Sequence, residues 1–388
     1  MFEQLNLKEL PFRTSADEKY ASVWAGRPTT RTQIDRLLRK MQLFHNSALH
    51  IIWANFGMGK THTLYHIRHR SQERMSAPFL IPVYATMPKR STGFLELYRE
   101  IVQSLPYDFL KKQIQKLGSS YRGSISLHPM FQRSPGVVKA LLAIDPEDFE
   151  ANTAARQWLA AQPGLSRSDL NRIDVTYRIK TPEDAINALN ALTNLAVFDP
   201  DPTKQNQLVV MIDEYQRVGE LRQKIWSENN SSLHTYFNQH PTGLQLLLSF
   251  SFGNKDNVDY LLSPELKSRA APQTITLDIL TPTEACEFVR DLLSQFRIEQ
   301  DERWAYPFTP EAVEHIIQSI AQQKTITPRR LMLYFDHVLK EVYVDNDDPG
   351  PFGYSVEAIQ KYLEDPELGR LDLDAAPESS TEELDVGL

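Results

Sequence analysis

The chain has a single cysteine, Cys286, among 388 residues, which excludes an internal disulfide and any cysteine-based zinc cluster. No apolar run approaches the ~18 residues that a membrane span needs, and the N-terminus lacks the apolar stretch of a signal peptide. A cytoplasmic protein without membrane contact is therefore expected. The ten histidines supply no convincing ligand set. His62, His66 and His69 recur at helical spacing, a pattern more usual for a half-buried helix face than for a metal site. Charge is scarce too once it is located. The formal net charge is −8, but the span from Glu364 to Leu388 carries nine acids and one arginine, so residues 1–363 sum to zero. That acidic end, rich in Asp, Glu, Ser and Pro, is expected to be disordered. A neutral body still has room for a basic stripe, so DNA stays open as a partner, bound non-specifically or through another protein.

What the chain does contain is organised around residues 49–67. An apolar run, Leu49-His50-Ile51-Ile52-Trp53, leads into Ala54-Asn55-Phe56-Gly57-Met58-Gly59-Lys60-Thr61-His62 and then a helical pattern. This is the order of a P-loop: a strand, a turn whose backbone N–H groups surround a phosphate, and a helix N-terminus. Gly57 and Gly59 allow conformations that a Cβ forbids, Lys60 places an ammonium on the β- and γ-phosphates, and the Thr61 hydroxyl is a Mg²⁺ ligand. Ala54 stands where the first glycine of the strict pattern falls, a frequent replacement. The cofactors expected are ATP or ADP with Mg²⁺.

A partner for this motif lies far downstream. Leu208-Val209-Val210-Met211-Ile212 is five consecutive apolar residues, a strand buried on both faces, and it ends in Asp213-Glu214. In a P-loop enzyme the aspartate binds Mg²⁺ directly or through water, and the glutamate polarises the attacking water. The next strand, Gly243–Asn254, ends with Ser251 and Asn254, either of which can reach the γ-phosphate or the lytic water or instead serve as a turn residue.

The remaining chain falls into place around these strands. Residues 1–28 close with Val23-Trp24-Ala25-Gly26-Arg27, which reads either as the adenine side of a nucleotide site or as an ordinary N-terminal brace. An amphipathic helix at 29–45, a strand at 78–85 and a helix at 93–105 continue an α/β alternation, which indicates a parallel sheet flanked by helices. Residues 106–181 interrupt that alternation and are too long for a loop, so a helical insertion is expected. Thr281-Pro282-Thr283-Glu284 is a helix N-cap signal, opening a helical bundle that runs to about residue 345 and includes Thr327-Pro328-Arg329-Arg330. The domains expected are thus an adenine-side segment at 1–28, a P-loop core at 29–280 with its insertion, a helical lid at 281–345, and a short helix plus acidic tail at 346–388.

In this order the motifs resemble those of AAA+ ATPases, specifically the branch of origin-recognition-type initiators and related switch proteins. The likeness runs over most of residues 10–345 and implies a parallel-sheet AAA+ core with a C-terminal helical lid, an ATPase activity and ATP-dependent homo-oligomerisation. It further implies that Arg269 is an arginine finger acting on a neighbouring subunit's γ-phosphate, and that Arg329, or alternatively Arg330, is the lid arginine sensing nucleotide in its own subunit. Lys60 and Thr61 would then face Asp213 and Glu214. Ala155–Leu159, Leu165–Leu170 and Ala188–Leu192 look like the ATP-binding domain of BREX-type phage-defence ATPases. The functional expectation is a regulatory ATPase acting on a DNA-processing or partner-protein complex, with phage defence as its setting. The alternatives are a transposon-type target selector or a nucleotide-bound scaffold that does not hydrolyse. Only a short helix and the acidic tail follow residue 345 in this sequence, so the winged helix with which origin initiators read DNA is not expected within it.

Overall fold

A computed structural model describes residues 2–73, 78–121, 123–251, 258–270, 274–366, 368 and 369. The expectations for Asn254 and for the acidic tail beyond residue 369 lie outside them. In chain order the elements are α1 (Pro28–Leu43), β1 (Ala48–Ala54), α2 (Lys60–Gln72), β2 (Leu80–Thr86), α3 (Phe94–Gln103), α4 (Tyr107–Ser120), α5 (Gly136–Ala143), α6 (Phe149–Leu159), α7 (Arg167–Arg172) and α8 (Pro182–Val197). They continue with β3 (Gln207–Asp213), α9 (Gln223–Asn238), β4 (Leu244–Ser251), the single-turn helices α10 (Val258–Leu261) and α11 (Pro264–Lys267), β5 (Ile275–Leu277), α12 (Pro282–Phe296), α13 (Pro310–Gln323), α14 (Pro328–Asp345) and α15 (Val356–Leu363). The five strands form one parallel sheet in the order β2-β3-β4-β1-β5.

The chain divides into two compact units, one of residues 1–32, 54–66 and 276–388, the other of residues 33–53 and 67–275. The second unit is built on the sheet. Every residue of β3 and β4 is buried. Leu208, Val210 and Ile212 enter the main core, while Val209 and Met211 are equally buried but face away from it. A strand covered on both faces reads as a continuous apolar run, because alternation is lost when neither side meets water. The register sets Thr86 of β2 beside Asp213 and Leu248 of β4 beside Ile212, so three polar strand ends gather at one edge.

Helices α4 to α7 fill most of the span where an insertion is expected, and local chemistry explains each. Tyr107, Leu110, Ile114 and Leu117 give α4 a buried face at helical spacing. Asp148 caps α6, and Ser166–Asp169 and Thr181–Asp184 form reciprocal capping boxes at α7 and α8. Trp158 anchors the group. It is fully buried, donates from Nε1 to the carbonyl of Tyr177 at 2.7 Å, and meets the Tyr177 ring edge-on. A Cβ on Gly136 would come within 2.7 Å of its ring, so α5 can approach only because residue 136 has no side chain. Trp158→Ala is expected to cost about 3–5 kcal/mol through the cavity and the orphaned carbonyl. Calorimetric unfolding measures this, and a loss below about 1 kcal/mol would mean the insertion packs in some other way.

In the first unit α12 to α15 surround a second core, centred on Phe308, Leu331, Phe335 and Leu339. Thr281, Thr309 and Thr327 cap α12, α13 and α14, each followed by proline at the first helical position.

Candidate functional site

The first unit holds the glycine turn, the first half of its helix and the C-terminal helices. β1 ends at Ala54, and Gly57 and Gly59 take φ of +73° and +86°, the left-handed region closed to most side chains. The turn delivers Lys60, 7% exposed, as the first residue of the 13-residue α2, where the helix dipole favours an anion. Met58 is a buried peg beneath the turn, whereas Asn55 and Phe56 are exposed. Asn55 accepts from the N–H of Phe56 at 2.7 Å and stiffens the turn's entry.

Arg27 fastens this turn from within the unit. Its guanidinium donates to the carbonyl of Met58 at 2.6 Å and to that of Asp278 at 2.6 Å. Burial pushes its pKa down to about 10, against the opposing pull of Asp278 and Glu284, so it stays charged at neutral pH. Of the two readings of Val23–Arg27, adenine side or brace, the contacts of Arg27 are those of a brace. His62 donates from Nε2 to the carbonyl of Val23 at 2.7 Å, with burial pushing the ring's pKa down, and Nδ1 of His66 reaches that of Ala21 at 2.8 Å. Trp24 packs against His66, and the N–H of Gly26 bonds Asp291 of α12 at 2.8 Å. The histidine face of α2 thus carries the N-terminal segment.

The two arginines at the start of α14 part company. The backbone N–H of Arg329 donates to the carbonyl of Gly57 at 3.1 Å, and a Cβ on Gly57 would lie 3.2 Å from that of Arg329, so the start of α14 rests on the glycine turn. Arg330 instead turns its guanidinium to the carbonyl and hydroxyl of Thr325, at 2.9 and 2.8 Å.

The second unit carries the carboxylates. Asp213 is 1% exposed. Its Oδ1 accepts from the Ser249 hydroxyl and from the N–H of Glu214, and its Oδ2 from the Tyr84 hydroxyl at 3.0 Å. Three donors thus meet a carboxylate that burial removes from water. Glu214 follows with φ of +56°, which swings its carboxylate out of the strand line. One carboxylate oxygen accepts from Nε2 of Gln216 at 2.6 Å and the other from the Ser251 hydroxyl at 3.3 Å, while Arg217 approaches to 3.7 Å. Ser251 is therefore on the Glu214 carboxylate, and Arg269 lies just past α11, exposed.

The sequence reading did not single out Tyr84, Ser249, Gln216 or Arg217. Only for the last two was a local signal present, since they adjoin Asp213-Glu214. Thr61 in the first unit and Asp213 in the second each carry a hard oxygen donor of the kind that Mg²⁺ takes, and among the described residues no group of three or more His, Cys, Asp or Glu side chains is placed to hold a metal. No helix among the described residues is long and apolar enough to cross a membrane.

No known protein family matches the chain by sequence profile, and no curated protein matches it. Solved structures do. The Aeropyrum pernix ORC2 protein, in ADPNP–ADP complexes, aligns over 93% of this chain and 74% of its own at TM-score 0.51 and 15% identity. The Aeropyrum pernix ORC1 protein in complex with DNA aligns over 94% and 75% at 0.49 and 12%, and Cdc6p from Pyrobaculum aerophilum over 89% and 70% at 0.48 and 13%. At such identities the likeness is one of fold, shared with the ORC2 protein: a parallel five-stranded α/β core with a C-terminal helical region.

Proposed function

We propose that this chain is an ATP-binding and ATP-hydrolysing AAA+ switch of the initiator type, which assembles with copies of itself and regulates a DNA-processing or partner-protein complex. One observation carries the reading: a left-handed glycine turn opens a helix with Lys60 and Thr61, in a chain whose fully buried central strand ends in Asp213 and Glu214. The fold likeness to a protein crystallised with ADPNP and ADP supports the same ligand class.

Each group then has a task. The N–H groups of Asn55 to Lys60 cradle the phosphates, and Lys60 neutralises them. Thr61 and Asp213 are the residues that would hold Mg²⁺, which when bound would offset charge on the transferring phosphoryl group. Glu214 accepts the proton of the attacking water, and Arg329 reports phosphate occupancy to α14. Arg269, exposed in this chain, reaches a γ-phosphate held by a neighbouring copy. The setting we assign is phage defence, on the likeness of segment 155–192 to BREX-type ATP-binding domains.

The test is turnover across protein concentrations, with and without DNA. Specific activity should rise as the protein assembles, and Arg269→Ala should lower kcat about 100-fold while ATP still binds, as expected for loss of one donor to a developing charge. Wild-type protein that binds ATP but shows no turnover under any of these conditions would make it a nucleotide-bound scaffold.

A further inference from the structure

Gln216 occupies a place that the assigned roles do not use. It is 7% exposed, at the start of the turn after β3, and both ends of its amide are committed. Oε1 accepts from the backbone N–H of Ser251 at 3.0 Å, and Nε2 donates to Glu214 at 2.6 Å. The first contact fixes the sense of the second, because a backbone N–H can meet only the oxygen end of an amide, and this turns the NH₂ group onto the carboxylate. The Ser251 hydroxyl donates to the other Glu214 oxygen at 3.3 Å, which closes a ring of three residues joining the ends of β3 and β4.

Glu214 needs such a ring. A left-handed residue just past a strand end has no helix or ladder to orient its side chain, and its carboxylate is 23% exposed. We infer that Gln216 is the positioning residue of the hydrolytic site: its amide sets the plane of the Glu214 carboxylate and ties that plane to the end of β4. Arg217 donates to the carbonyl of Met87 at 2.8 Å and stands 3.7 Å from Glu214, so the short bond to that carboxylate is the one from Gln216.

This inference rests on the proposed role of Glu214 as the base, and full-length protein tests the two separately. Gln216→Leu should lower kcat about 10- to 100-fold, the cost of a base displaced by a fraction of an ångström, with the ATP dissociation constant unchanged within about twofold. In a Glu214→Gln background the same substitution should have no further effect on kcat, because an orienting residue has nothing left to orient. Multiplicative losses would overturn the positioning role and leave the base assignment standing. Absence of wild-type turnover would remove both. A readout free of catalysis uses a swapped pair. Gln216→Glu sets two carboxylates together and should lower the melting temperature, and adding Glu214→Gln restores a donor–acceptor pair and should recover most of the loss. No recovery would show that the two side chains do not interact and would also overturn the inference.

Discussion

Lys60→Ala is expected to abolish ATP binding at millimolar nucleotide. Lys60 is the first residue of α2 and is largely buried, so its ammonium enters a setting with little water to screen it. The glycine turn supplies N–H groups, which are partial charges, but Lys60 supplies the one full positive charge that the turn itself carries. Removing one partner of a desolvated ion pair costs about 3–5 kcal/mol, or a factor of roughly 10² to 10³ or more in affinity. The measurement is a titration with a fluorescent ATP analogue alongside thermal unfolding. Saturating ligand stabilises wild-type protein, by about 2.7 kcal/mol at a hundredfold excess over the dissociation constant, and that gain should vanish in the variant. An unchanged dissociation constant would mean that the Gly57–Thr61 turn is not the phosphate site.

Much of this was legible in the residues because the signals are local. A run such as Leu208–Ile212 followed by two acids describes a strand covered on both faces before any pairing is known, and the structure buries all of it. The N-caps at Thr281 and Thr327 are likewise four-residue patterns. What could not be read is what depends on register and on remote contacts. Tyr84 bonds Asp213 across 129 residues of chain, and nothing near Tyr84 distinguishes it from other strand tyrosines. Ser249 and Ser251 look alike in sequence, but the pairing of Ile212 with Leu248 brings Ser249 to Asp213 while Ser251 reaches Glu214. Arg27 is legible as a residue near the nucleotide turn. Its bond to Asp278, 251 residues on, is not, and that bond commits the guanidinium to backbone carbonyls.

Glu214→Gln should hold ATP without consuming it, and the surroundings of Glu214 explain why the protein should tolerate the exchange. Gln216 cannot reverse its own amide, since its oxygen is held by the N–H of Ser251, so it continues to present NH₂ toward residue 214. A glutamine there satisfies it by turning its oxygen to Gln216 and its NH₂ to the Ser251 hydroxyl, which accepts as readily as it donates. The shape of the ring survives. What is lost is a group able to take a proton from water, and the loss of a general base costs about 10² to 10⁴ in rate. We expect kcat to fall about 1,000-fold with the ATP dissociation constant within about threefold of wild type. If assembly follows ATP occupancy, size-exclusion chromatography should find the variant in a larger, long-lived ATP-bound form, from which wild-type protein decays as it hydrolyses. A variant that turns over ATP at the wild-type rate would remove Glu214 from the chemistry, and one that fails to bind ATP would show the carboxylate to be part of the binding site rather than the base.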